Sequence, residues 1–343
     1  MSSRPTLAKP KSADSQSQVV FQVVVLVLLL VLLVNYKWAA GLGKIQQTRA
    51  SGSLHLVKLQ FPGISSFNNA IGYLKIVWPA LIFGILISAA VRTSLSRTPL
   101  HRMFQGSVVR DQVAATLAGA PLMLCSCCVA SIFPAVYQRT QKVAPALGVT
   151  LASPSLNPAA LTLTFMLFPL RISALRLAMA LLLVLVGSVL VARIAQAPIL
   201  IRPSTSEENQ ITWLGLLASY AKSVAYISLR VVPLILLGIW ASMWIMSHLS
   251  LTGALSGARV LSILMIALFA VLLTLPSLFE IPLALSVLAA GGPPGAAAAL
   301  LFAGPAINLP SLLVIGRYSN WKVAVSLALL VWGIAVVGAL CLR

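Results

Sequence analysis

Charge is scarce in this chain. Of its 343 residues only 8% are charged, and only 5 are acidic. With 59% hydrophobic residues and a mean hydropathy of +1.00, there is too much apolar surface for a soluble domain to hide. The composition describes a polytopic membrane protein. Histidine is sparse as well: His55, His101 and His248 stand alone near the ends of apolar runs, and nothing groups them as metal ligands. The cysteines make no disulfide framework, because Cys125, Cys127 and Cys128 are too close in sequence to staple distant segments and Cys341 ends the last apolar run. Walker motifs, nucleophile elbows and zinc-protease helices are absent. That argues against an ATP-driven pump and against an enzyme, and no metal or cofactor is expected.

What charge there is has one sign. The net +19 is spread through short connecting segments, with no basic stripe or nucleic-acid motif. Anionic headgroups and the positive-inside rule produce this pattern, so the lipid bilayer is the expected partner and nucleic acid is not. Residues 1–18 read as a disordered tail, 19–36 as a retained N-terminal anchor span with Tyr36 and Trp38 at the interface, and 37–70 as an extramembrane loop. A first permease-like unit runs over 71–195, a hydrophilic linker with Glu207 and Glu208 over 196–212, and a second unit over 213–343. The expectation is an all-α protein of about nine transmembrane helices, arranged as one plus four plus four.

The two units resemble each other. Val77-Trp78-Pro79 followed by Gly84-Ile85 matches Val231-Val232-Pro233 followed by Gly238-Ile239. Ala152-Ser153-Pro154-Ser155-Leu156-Asn157 matches Ala303-Gly304-Pro305-Ala306-Ile307-Asn308. Between these anchors Pro121 falls opposite Pro276, and Cys125 opposite Glu280. Paired units with interrupted spans are a hallmark of secondary transporters, which bind substrate at the repeat interface. An even number of crossings per unit makes the halves parallel, and a re-entrant segment makes them inverted; the loop charges do not choose between the two.

The expected substrate-binding residues centre on Cys125, Cys127 and Cys128, with Met123 as a further soft donor. On a regular helix Cys127 lies about 200° round from Cys125, so the thiols converge only if the backbone leaves the helix, which Pro121 and Pro134 favour. Soft donors select monovalent copper, mercury or trivalent arsenic; the bland alternative is Cys as a small hydrophobe. Glu280 is the acidic residue inside an apolar span. It is read either as a proton carrier, as a partner of Arg230, or as a cap on a half-helix restarting after Pro276. Asn157 and Asn308 are expected to contact substrate or to bond carbonyls freed by breaks at Pro154, Pro158 and Pro305.

At Cys125-Ser126-Cys127, Pro134, Arg139 and Pro154-Ser155-Leu156-Asn157-Pro158, the chain resembles a family of predicted permeases that includes the organoarsenical efflux permeases. The second-half Gly304-Pro305-Ala306-Ile307-Asn308 is similar to that family's C-terminal block. Cys128 departs from the pattern, standing where the family has Gly, and Pro134 comes later than the family's proline. The resemblance implies a multi-pass bacterial inner-membrane permease, from about residue 71 onward. It makes export of a trivalent organoarsenical the leading expectation. A copper(I) or mercury(II) transporter is the nearest alternative, and a scaffold or redox thiol protein that moves nothing is another.

Overall fold

The computed structural model describes residues 78, 81–90, 106–194, 213–248, 259–274, 278, 280–289 and 292–342, with parts of 24–46. The expected tail 1–18, most of the loop 37–70, the linker 196–212, and Pro276 lie outside the described residues. Among the described residues there is helix and no strand. The helices are α1 (Val27–Tyr36), α2 (Leu81–Ala90), α3 (Val108–Gly119), α4 (Ser126–Val129), α5 (Ile132–Thr140), α6 (Val143–Ser155) and α7 (Pro158–Leu167). They continue with α8 (Leu170–Ile194), α9 (Trp213–His248), α10 (Arg259–Leu272), α11 (Glu280–Ala289), α12 (Pro294–Ala306), α13 (Leu309–Tyr318) and α14 (Trp321–Leu340). By length and composition α8 and α14 can each cross a bilayer alone; α12 and α13, bent by 44°, together make a third such span.

Small residues set the centre. α6 and α12 are buried along almost their whole length, and Ala296 to Ala299 in α12 are sealed completely. α3 and α5 pack on α6, α10 and α11 pack on α12, and the two central helices touch each other. Short side chains permit this crowding: a Cβ added to Gly119 would sit 2.5 Å from the Val149 carbonyl oxygen, so α3 and α6 meet backbone to backbone. Outside, large apolar side chains such as Leu117, Leu229 and Val337 are exposed, the surface that lipid tails accept.

Both central helices break where the sequence says they should. Pro154 and Pro305 lie in their last turns, and Asn157 and Asn308 begin the next helix with Pro158 or Pro310 just inside it. Each asparagine oxygen caps the restarting helix. Asn157 Oδ1 accepts from Ala159 N at 3.0 Å, and Asn308 Oδ1 accepts from Ser311 N at 3.0 Å. Ser311 Oγ accepts in return from Asn308 N, closing a capping box. The expected bonds to freed carbonyls are not what these oxygens make. An amide oxygen can only accept, and the groups left open at a helix start are N–H donors.

Two apolar stretches, each long enough in sequence to count as one of the nine expected crossings, double back instead. In the first, Val113 to Tyr137, α3 runs alongside α6 in the same direction, Gln112 and Ala115 facing Gly148 while Gly119 faces Val149 and Ala152. α5 joins α6 through a turn at Gln141 (φ 52°) and packs on it, so α5 returns antiparallel. Asp111, in the first turn of α3, reaches Lys142 at the start of α6 with Oδ2 2.7 Å from Nζ. The two ends of 108–140 therefore lie together, and the thiols are at the tip. The second stretch, Val260 to Ala290, repeats the plan. Val260 and Ile263 at the start of α10 share a cleft of about 310 Å³ with Pro293 and Pro294, which follow the end of α11. Glu280 begins the returning limb. At about 18 Å for 12 residues, α3 is too short to cross a bilayer. Hydropathy fuses two such limbs into one span because it carries no direction.

Candidate functional site

The thiol tip is built from irregular backbone. After a single 3-10 turn at Ala120–Leu122, Met123 adopts φ 51° and ψ 28°, a left-handed conformation that costs a non-glycine residue about 1 kcal/mol or more. Cys125 is extended and stands at the N-cap of the four-residue helix α4, its carbonyl accepting from the Cys128 and Val129 amides at 3.0 Å. This departure from helix brings the sulfurs together. Cys125 Sγ lies 2.7 Å from Cys128 Sγ and 3.1 Å from Cys127 Sγ, with 3.8 Å between Cys127 and Cys128. All three are buried and none is in a disulfide.

Neighbouring helices hold that geometry. Ser153 Oγ, in the last turn of α6, accepts from Leu124 N at 3.0 Å. On the other side, Ser131 Oγ donates to the Cys128 carbonyl at 2.8 Å, and Ser88 Oγ of α2 donates to the Ser131 carbonyl at 2.7 Å. Gly84 allows α2 this close, since a Cβ there would meet the Cys128 carbonyl oxygen at 2.7 Å. α13 also packs against α4 and α5. Three sulfurs around a soft centre about 2.3 Å from each stand about 3.4–4 Å apart; the Cys127–Cys128 edge lies in that range, and the two edges at Cys125 are shorter and would open to admit the centre. Met123 is buried, and its definite contribution is the left-handed turn.

Glu280 does not join the thiols. Its Oε1 lies 3.2 Å from Arg176 Nη2, and both side chains are almost fully buried (3% and 1% exposed). Arg176 Nη1 also donates to Thr164 Oγ1, whose hydroxyl donates to the Ala160 carbonyl at 2.7 Å. Arg176 Nε has no partner among the described residues. Among the described residues the carboxylate's cation is Arg176 of α8; the side chain of the expected partner, Arg230, lies outside the described residues. Arg176 was the residue to find. It is a lone cation deep in an apolar run, and the rule that singles out Glu280 applies to it equally. Glu280 also occupies the first turn of α11, as the capping alternative expected, although Ser277 lies outside the described residues.

Three further buried polar atoms lack partners among the described residues: Asn308 Nδ2 and Ser155 Oγ, both at the helix breaks, and Gln112 Oε1 on α3. The structure thus forms two separate clusters: a thiol triangle at the tip of the first hairpin, and a set in which Arg176 of α8 and Thr164 of α7 meet Glu280 at the head of α11.

A family model described as "Predicted permease" matches residues 64–341. The UPF0718 protein YraQ of Escherichia coli (strain K12) is 27% identical over 295 residues, which cover 82% of this chain and 83% of that protein. No solved structure matches the chain.

Proposed function

For a chain that belongs to the predicted-permease family and is therefore a membrane transporter, we propose that it carries a small solute with a soft, thiol-seeking centre across the bacterial inner membrane, in the direction of export. The leading substrate is a trivalent organoarsenical. The observation that carries this reading is the buried triangle of Cys125, Cys127 and Cys128 sulfurs at a hairpin tip. An organoarsenous acid has two hydroxyl groups. Two thiols displace them as two molecules of water, forming two As–S bonds without any change of oxidation state. The third thiol supports exchange: its sulfur attacks arsenic as a bound sulfur leaves and takes up a proton, so the solute is passed on rather than trapped. Glu280 is the group that carries the coupling proton: its carboxyl, once protonated, lets go of Arg176, and on giving the proton up it pairs with Arg176 again. The two units form a duplicated transporter of which the Asn-capped breaks are the matched pivots.

Everted membrane vesicles test this by methylarsenite uptake under an imposed pH gradient. Wild type accumulates the solute, the Cys125→Ser/Cys127→Ser/Cys128→Ser variant falls to the background of empty vesicles, and Glu280→Gln loses the response to the gradient. Full uptake by the triple variant rejects the thiol site. Parallel arms with copper(I) and mercury(II) identify the substrate among soft ions. Uptake of either in place of methylarsenite reassigns it.

A further inference from the structure

α8 measures the protein from one side to the other. Its 25 residues span about 37 Å as a helix. At its first turn, Arg171 and Ile172 line the cleft shared with Val260, Ile263 and Pro293, the base of the hairpin that carries Glu280. Toward its other end, Gln112 Nε2 donates to the Val184 carbonyl and to Ser188 Oγ, both at 2.7 Å. Gln112 sits in the first turns of α3 beside Asp111, at the base of the thiol hairpin. From residue 172 to residues 184–188 is about 18–24 Å along the helix axis. The bases of the two hairpins therefore lie about 18–24 Å apart along one membrane-length helix, one at its first turn and the other past its midpoint.

We propose that the two hairpins enter the bilayer from opposite faces. The halves are then inverted, and the Arg176–Glu280 pair forms a gate between the thiols and the face on which the second hairpin opens. Each half then holds one re-entrant hairpin and an odd number of crossings, which reverses the orientation of the next half. Arg176 fits the gate by position: it lies one helical turn beyond Ile172, a cleft residue, on the same face of α8. It also ties Thr164 of the first half to Glu280 of the second, so opening this contact separates the halves at that face. The gate's role in a path rests on the proposed function; the placement of the hairpins does not.

Impermeant maleimide labelling of right-side-out and everted vesicles tests the placement without any transport. Cys341 is an exposed native thiol between residues that line the cleft. Arg110→Cys, made in a Cys341→Ser background, puts a reporter at the exposed base of the thiol hairpin. The two positions should label in opposite vesicle orientations. Labelling of both in the same orientation overturns the inverted arrangement. The gate is read in the Cys341→Ser background from the rate at which an impermeant methanethiosulfonate modifies the native thiols from the cleft face. Glu280→Gln should raise that rate about tenfold, within the range supplied by a contact made in one conformation and lost in the other. Arg176→Lys, which keeps the charge, should raise it less. Unchanged rates in both variants remove the gate and leave the topology standing. Failure of methylarsenite uptake alone touches neither result.

Discussion

Removing one member of the Arg176–Glu280 pair should be far worse than removing both. At 3.2 Å and an effective dielectric near 20, the two charges attract by about 5 kcal/mol. Taking both from water costs several kcal/mol per ion, so the pair as a whole is close to balance. Arg176→Met spares that attraction nothing and leaves Glu280 buried beside Thr164 without its cation; the expected loss is about 3–5 kcal/mol. Glu280→Gln keeps an amide oxygen within reach of Arg176 Nη2, so a smaller loss of about 1–3 kcal/mol is expected. The double variant Arg176→Met/Glu280→Gln buries no charge and should recover most of the stability lost in Arg176→Met alone. Equilibrium unfolding in mixed micelles measures all four proteins as a double-mutant cycle. Additive losses would show that the two side chains do not interact, and the reading of the second hairpin tip would fall with them.

Other variants address the remaining contacts. Gly84→Ala places a methyl against the Cys128 carbonyl and Ser131 Oγ; it should cost about 1–3 kcal/mol and slow methylarsenite uptake, both measured in vesicles and micelles. Ser153→Ala should lower phenylarsenous acid affinity in a binding titration while the thiol count stays at four per chain, because Leu124 N loses its acceptor. Asn308→Ala should lose about 1 kcal/mol of helix capping in the same unfolding assay. Asn308→Asp keeps the capping oxygen and removes the unpartnered Nδ2, so uptake that falls with little change in stability assigns that nitrogen to the solute.

The parts of the fold set by neighbours in sequence were legible. Pro154, Asn157 and Pro158 act within one turn of each other, as do Pro305, Asn308 and Pro310, and both breaks stand where those residues put them. The thiols were legible as a condition: they converge if the helix is broken, and the left-handed Met123 breaks it. The turning-back of the hairpins was not. Ser153 stabilises the first tip from 29 residues away, and the apolar limbs on either side carry no mark of direction. The carboxylate's partner was hidden for the same reason, since 104 residues separate Arg176 from Glu280.

The attachments of α8 have a mechanical consequence. Just past its midpoint Leu183–Gly187 winds as a π-helix, and Gln112 holds its widened turn by two short hydrogen bonds. Eight residues before Val184, Arg176 holds the opposing hairpin. A helix over that distance, about 12 Å, is stiff, so α8 acts as a rod clamped to a moving part at each end. A tip that shifts together with the rod preserves both clamps and drags the far one. A tip that shifts without it must first break buried polar contacts. Under the proposed function and topology, strain applied when the sulfurs close on a solute is delivered along α8 as force on a single ion pair.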